Sequence, residues 1–229
     1  KDILQFINYI SLNSQVKMAI INNLIELVLN LDKYLDVIMQ NYGALIYLIL
    51  FAVIFAETGF VITPFLPGDS LLFISGALFA SKGIIELFLL FFILAGAAIL
   101  GDSFNYWIGK YIGKKISSNS RFIKKEYMQR THQFYARHGG KTIILARFVP
   151  IIRTFAPFIA GIGRMNYLRF ISFNIMGGIL WVGTFVFGGY YLGRVEFIKE
   201  NLSLFILLII FISFIPIIIE YFRNQSAKH

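Results

Sequence analysis

The chain of 229 residues is unusually apolar, with 58% hydrophobic residues and only 14% charged ones. An average soluble domain has about 25% charged residues. The chain has no cysteine, which excludes disulfides, thiolate metal sites and cysteine nucleophiles. Because its apolar residues form long blocks rather than an amphipathic repeat, the sequence predicts an all-α polytopic membrane protein.

The net charge of +9 is concentrated in one segment, residues 110–141. This segment has nine Lys or Arg residues and one acid, Glu126, so it contributes +8 by itself. A basic loop next to spanning helices indicates the cytoplasmic side of a membrane. Nucleic-acid binding is the alternative reading of such a cluster. Its position between apolar spans favours a topological role, and we predict no nucleic-acid partner.

Residues 1–41 form the first predicted unit, ahead of a membrane core over 42–193 and a C-terminal unit over 194–229. Apolar and polar residues alternate at helical spacing within 21–40. This pattern predicts an amphipathic helix on the membrane surface. A packed helix outside the membrane is the alternative.

Four apolar stretches have about the 20 residues that a helix needs to cross a bilayer. They cover residues 42–60, 84–108, 169–192 and 202–222. With the basic segment on the inside, the order of these spans predicts that both termini lie in the cytoplasm.

Two further apolar segments, 57–81 and 142–162, are interrupted by helix-breaking residues. The breaks are at Pro64, Pro67 and Gly68 in the first segment and at Pro150 and Pro157 in the second. The resulting arms are too short to cross the bilayer, so we predict two re-entrant helical hairpins that enter from opposite faces. Interrupted segments in corresponding halves of a chain indicate an inverted repeat and the midplane site of a transporter.

Both hairpins contain charged residues at a depth where a charge costs about 2.5–3.5 kcal/mol on insertion scales. Glu57 and Asp69 lie in the first hairpin, and Arg147 and Arg153 lie in the second. Function is the default explanation for such charges. The structural alternatives are an N-cap role for Asp69 and ion pairs between these acids and arginines.

The four charges suggest proton-coupled transport of an anion. Two guanidinium groups could hold one phosphate through paired hydrogen bonds. Protonation of Glu57 or Asp69 would release an arginine to bind that phosphate. Asp102, in the second span, is a possible accessory residue that pairs with an arginine or faces the substrate exit.

Other residue types give little support for an enzyme. The three histidines show no metal-site or triad pattern, and we predict no metal and no cofactor. They are His132, His138 and His229. We interpret Trp107 and Trp181 as interface or packing residues.

Four stretches resemble the DedA family of bacterial membrane proteins, which is related to eukaryotic VTT-domain lipid scramblases. They are ETGFVITPFLPGDSLLFISGALFASKG, GDSFNYWIGKYIGKK, ARFVPIIRTFAPFIAGIGRM and GGYYLG, in this order between Tyr42 and Gly193. The resemblance implies a bacterial cytoplasmic membrane protein that moves undecaprenyl phosphate between leaflets and depends on the proton motive force. It also implies that Glu57 and Asp69 are the important acids and that Arg147 and Arg153 are the important arginines.

Two other functions use the same residues. One is a flippase or scramblase of phosphatidylethanolamine or another phospholipid. The other is a proton-coupled antiporter of small solutes or cations, which would use the acids but would not need arginines that bind phosphate. The expected partners are therefore a lipid phosphate, membrane lipids and protons.

Overall fold

The computed structural model describes residues 26, 31–60, 68–118 and 140–201, together with 204–205, 207–209 and 211. Pro64, Pro67, the three histidines, most of the span predicted over 202–222 and most of residues 1–41 therefore lie outside the described residues.

All the described elements are helical, which confirms the predicted all-α class. In chain order they are α1 (Leu31–Tyr42), α2 (Leu45–Gly59), α3 (Gly68–Leu78, followed by a 3-10 turn at Phe79–Ser81), α4 (Ile84–Ser118), α5 (Lys141–Ala146), α6 (Pro150–Ile162), α7 (Tyr167–Leu192) and α8 (Glu196–Glu200).

Helices α4 and α7 are long and apolar enough to cross a membrane. Their 35 and 26 residues correspond to about 52 and 39 Å, against a hydrocarbon core of about 30 Å. They confirm the spans predicted over 84–108 and 169–192. Helix α7 begins two residues earlier than predicted because Asn166 caps it, with its side-chain oxygen accepting from the Arg169 amide at 3.3 Å.

The span predicted over 42–60 is too short to cross the bilayer. Gly43 has a φ of +50°, a left-handed conformation that suits glycine and separates α1 from α2. Helix α2 then has 15 residues, or about 22 Å, against the 30 Å needed. The prediction of a full span was wrong here because it counted apolar residues across this break.

The predicted breaks at Gly68 and Pro150 coincide with helix starts. Gly68 is the first residue of α3, and Pro150 is the first residue of α6. Val149 is extended (φ −119°, ψ 109°), as expected for a residue before proline. The arms α3, α5 and α6 have 11, 6 and 13 residues, so none reaches across a bilayer.

Pro157 does not interrupt a helix, so the prediction of a hairpin break at this residue was wrong. It lies inside α6, where it is buried. A membrane helix can retain an internal proline when neighbouring helices support it. Among the described helices, α6 and α4 make the most extensive contact, and Asn105 of α4 donates a hydrogen bond to the Thr154 carbonyl at 2.7 Å.

The short arms divide between the two long helices in a regular way. Helix α2 packs on α4, while α3 packs on α7; helix α5 packs on α7, while α6 packs on α4. Glycines allow close approach at two of these contacts. A Cβ at Gly161 would collide with the Tyr106 carbonyl oxygen of α4, and a Cβ at Gly189 would collide with the Phe73 carbonyl oxygen of α3.

Candidate functional site

The charged residues lie where the apolar helices begin or end. Glu57 is in the last turn of α2, and Asp69 is the second residue of α3. Arg147 directly follows α5, and Arg153 lies in the first turn of α6. Asp102, by contrast, lies within the long helix α4. The breaks in the two predicted hairpins thus supply four of these five side chains.

Arg153 is held between the two acids of the first predicted hairpin. Its Nη1 donates to Asp69 Oδ1 at 2.6 Å, and its Nη2 donates to Glu57 Oε1. The backbone N–H of Gly68 donates to the same Glu57 oxygen at 3.2 Å. A Cβ at Gly68 would overlap the Glu57 carboxylate, so glycine is required for this approach. Glu57 is fully buried, and Arg153 is 7% exposed.

Arg147 has a different set of partners. Its Nη2 donates to Asp102 Oδ2 and to Asn174 Oδ1, both at 2.5 Å. Gly177 makes room for this side chain, since a Cβ there would lie 2.9 Å from Arg147 Cδ. Asp102 therefore pairs with an arginine, one of the two possibilities that the sequence left open. Asn174 contacts the charged site directly, although its position in the sequence did not indicate such a role.

Trp181 of α7 connects the two arginine groups, and its interpretation as an interface or packing residue was incomplete. Its Nε1–H donates to Asp69 Oδ1 at 2.8 Å. Its ring centroid lies 4.9 Å from Arg153 Cζ and 5.9 Å from Arg147 Cζ, within range of cation–π attraction. Asn174 and Trp181 are seven residues apart, which places them on one helix face. That spacing was the only signal of their shared role in the sequence.

Asn105 of α4 joins the two predicted hairpins. Its Nδ2 donates to the carbonyl oxygens of Thr58, at 3.2 Å, and Thr154, at 2.7 Å. Thr58 follows Glu57, and Thr154 follows Arg153. One buried amide thereby fixes the backbone next to both members of an ion pair. No sequence motif predicted this role for Asn105.

Several buried polar atoms of the site have no hydrogen-bond partner within the part of the chain that the structure describes. They are Glu57 Oε2, Ser70 Oγ, Asn105 Oδ1, Arg147 Nε and Arg153 Nε. Each such group costs about 1–3 kcal/mol. Their concentration at one place fits a site that receives a polar group during function.

The chemistry available here is anion recognition and proton transfer. Two guanidinium groups can each pair with two oxygens of a carboxylate or phosphate. Three carboxyl groups, Glu57, Asp69 and Asp102, oppose these two cations, so the site bears an excess negative charge of one when all five are ionised. An added anion is therefore accommodated more readily after a carboxylate takes up a proton.

Comparison with known proteins places the chain in a family. Residues 66–191 match the VTT domain. The chain is 46% identical to protein DedA of Escherichia coli K12 over 213 residues, which cover 92% of this chain and 97% of that protein. It is 46% identical to an uncharacterized membrane protein of Mycobacterium leprae over 179 residues, 76% of this chain and 80% of that protein.

A third relative, the inner membrane protein YghB of E. coli K12, is 35% identical over 160 residues, 69% of this chain and 73% of that protein. No solved structure matches the chain. The relatives named as membrane proteins agree with the apolar spanning helices. The chain therefore belongs to the DedA family of membrane proteins and contains a VTT domain.

Proposed function

We propose that this protein transports undecaprenyl phosphate, a polyprenyl phosphate lipid carrier, across the bacterial cytoplasmic membrane, and that the proton motive force drives it. The observation that carries the proposal is Arg153, a buried guanidinium held between Glu57 and Asp69 among apolar helices. Ionisable residues inside a membrane protein mark pathways for substrates, ions or protons. Two of the relatives, YghB and YqjA, are named as inner membrane proteins.

The proposed architecture has two re-entrant hairpins in an inverted repeat, one formed by α2 and α3 and the other by α5 and α6. The first hairpin was predicted over 57–81, and the proposal now extends it back to Leu45, the start of α2. The packing of the arms supports it. The two halves are α2 to α4 and α5 to α7. In each half the first arm packs on the long helix of its own half, and the second arm packs on the long helix of the other half. A pseudo-twofold axis in the membrane plane would produce this exchange.

The proposed orientation follows from charge. The basic segment 110–141 places the end of α4 in the cytoplasm. We retain cytoplasmic positions for both termini as part of the proposal.

Arg153 and Arg147 would bind the phosphate of the lipid while its polyprenyl tail remains in the bilayer. Trp181 contacts both guanidinium groups and would keep them near one another. A guanidinium group suits this task because it pairs with two phosphate oxygens and stays charged at any working pH. Asp102 would hold Arg147 until the phosphate arrives.

Glu57 and Asp69 would couple protons to this binding. Both accept hydrogen bonds from Arg153 in the structure. A proton taken up by either acid removes one negative charge beside Arg153 and weakens its hold on the guanidinium group. The freed N–H groups can then bind phosphate, so one proton and one lipid phosphate would enter the site together.

The first experiment uses the purified full-length protein in liposomes that carry labelled undecaprenyl phosphate in one leaflet. We expect transfer to the other leaflet that depends on a pH gradient. Arg153→Ala should lower the initial rate by about a hundredfold or more. The variant loses the two charge-assisted hydrogen bonds that Arg153 would donate to the lipid phosphate, each of about 1.5–3 kcal/mol. Arg169→Ala, an exposed arginine of α7, is the matched control and should retain the rate.

The same assay separates the alternatives. Transfer of phosphatidylethanolamine but not undecaprenyl phosphate would overturn the substrate assignment in favour of a phospholipid flippase. A cation flux that survives Arg153→Lys would favour the antiporter, because such an exchanger needs no guanidinium group to bind phosphate through paired hydrogen bonds. Release of inorganic phosphate from the lipid would instead indicate a lipid phosphatase.

A further inference from the structure

A cationic site lies away from the buried charges. It is a cavity of about 580 Å³ between the end of α4 and the start of α7. Its wall includes Lys110 and Lys114 of α4, Arg164 of the turn after α6, and Asn166 and Tyr167 at the start of α7. The proposed transport mechanism uses neither this cavity nor the cations that line it.

The electrostatic character of the cavity favours an anion. Among the residues that the structure describes, three cations and no acid line it. Within the described ranges, no ion pair neutralises Lys110, Lys114 or Arg164. The first turn of the 26-residue helix α7 also faces the cavity, and the N-terminus of a helix attracts negative charge through its free N–H groups and its dipole. The cationic side chains and the N-terminus of α7 therefore both attract an anion.

The backbone of Arg164 belongs to the end of α6, where the Arg164 N–H donates to the Gly161 carbonyl and the Met165 N–H donates to the Ala160 carbonyl, both at 3.0 Å. Its φ of +54° is the only positive value among the non-glycine residues that the structure describes. A left-handed residue at this position satisfies the last carbonyl groups of a helix, and here it places the Arg164 side chain at the wall of the cavity. Glycine would adopt it at no steric cost, but glycine would remove the guanidinium group from the wall of the cavity.

The position of the cavity along α4 corresponds to the level of lipid headgroups. Lys110 lies 26 residues after Ile84, the start of α4, which is about 39 Å along the helix and beyond a hydrocarbon core of about 30 Å. Its Nζ lies 4.6 Å from the ring centroid of Trp107, and the rings of Trp107 and Tyr111 are largely exposed. Exposed Trp and Tyr residues mark the boundary between the hydrocarbon core and the headgroups. Leu168, on the cavity wall, is 75% exposed and can contact acyl chains.

We propose that this cavity binds the phosphate of an anionic lipid headgroup from the adjacent leaflet. Lys110, Lys114 and Arg164 contact the phosphate oxygens, and the start of α7 adds N–H donors. The acyl chains lie outside the cavity, against the exposed aromatic and aliphatic side chains beside it. A phosphate monoester, with its larger charge, binds better than a zwitterionic headgroup. This site is independent of which lipid the buried arginines carry.

The test uses the purified full-length protein in detergent micelles and native mass spectrometry to count bound lipids. Dioleoyl phosphatidic acid is titrated against dioleoyl phosphatidylcholine, which has the same chains but a zwitterionic headgroup. We expect phosphatidic acid to bind about tenfold more tightly, and we expect Lys110→Gln with Lys114→Gln to remove that preference. Lys141→Gln is the matched control, since this exposed lysine belongs to the same basic segment but does not line the cavity.

A third variant tests the role of Arg164. Arg164→Asn should also weaken phosphatidic acid binding while keeping the backbone conformation, because Asn tolerates positive φ. An unchanged melting temperature shows that each variant is folded. Equal binding of phosphatidic acid by wild type and the double lysine variant would overturn the proposal. Displacement of phosphatidic acid by an equal concentration of inorganic phosphate would overturn the lipid assignment in favour of a free-phosphate site.

Discussion

At the scale of single residues, the buried charges depend on partners supplied by other helices. A buried ion pair stabilises a protein only when further hydrogen bonds offset the cost of removing both charges from water. Asp69 meets this condition because its Oδ1 accepts hydrogen bonds from both Arg153 and Trp181. The indole N–H is thus part of the charged site rather than a packing detail.

The first residue-scale prediction concerns Trp181→Phe, which keeps an aromatic ring beside the arginines but removes the N–H donor to Asp69. We expect a loss of about 1–2 kcal/mol in the free energy of unfolding. The measurement is the thermal unfolding midpoint in detergent micelles.

Trp107→Phe is the control for this experiment because Trp107 is 48% exposed. It should change the free energy of unfolding by less than about 0.5 kcal/mol. Equal effects of the two substitutions would mean that the hydrogen bond to Asp69 contributes nothing to stability.

At the scale of elements, glycines determine how closely the short arms approach the long helices. Gly189 of α7 faces α3, and a Cβ there would collide with the Phe73 carbonyl oxygen. Gly188, its neighbour in sequence, has open space around the position of a Cβ. Small residues at interhelical contacts are typical of membrane proteins, since they let backbones pack directly.

This difference predicts opposite results for two adjacent substitutions. Gly189→Ala should destabilise the protein by about 1–3 kcal/mol, because backbone atoms of α3 must move. Gly188→Ala should be neutral or stabilise it by about 0.5–1 kcal/mol, because alanine is the better helix former. Thermal unfolding of both variants in the same detergent provides the comparison. A similar loss for both would argue against close packing of α3 on α7.

At the scale of the whole molecule, the proposed hairpin can be tested by its topology. If α2 and α3 form a re-entrant hairpin, the chain enters and leaves the membrane on one face. Asn41 and Lys82, which flank these two helices and are exposed, then lie on the same side. Lys141, beyond the spanning helix α4, lies on the opposite side.

The absence of cysteine makes single-cysteine labelling straightforward. In spheroplasts treated with a membrane-impermeant maleimide, Asn41→Cys and Lys82→Cys should label together. Lys141→Cys should label only after the membrane is opened. Labelling of Lys82→Cys but not of Asn41→Cys in intact spheroplasts would show that α2 crosses the membrane and would contradict the hairpin.

The sequence predicted the long spans well because composition over some twenty residues is enough to identify them. It also predicted breaks at Gly68 and Pro150, where helices begin in the structure and local backbone preferences dominate. It failed at Pro157, since packing on α4 overrides the usual effect of proline. It failed again over 42–60, because hydropathy alone does not reveal that Gly43 ends the preceding helix and that the helix after it has only 15 residues.

The sequence by itself determined that this is an all-α membrane protein of the DedA family, with acids and arginines at the breaks of its apolar segments. These properties follow from composition and local motifs. Only the tertiary structure decided which charges pair: Arg153 with Glu57 and Asp69, and Arg147 with Asp102 and Asn174, with Trp181 between them. The pairing depends on which long helix each short arm packs against, and residues up to 112 positions apart are joined by it.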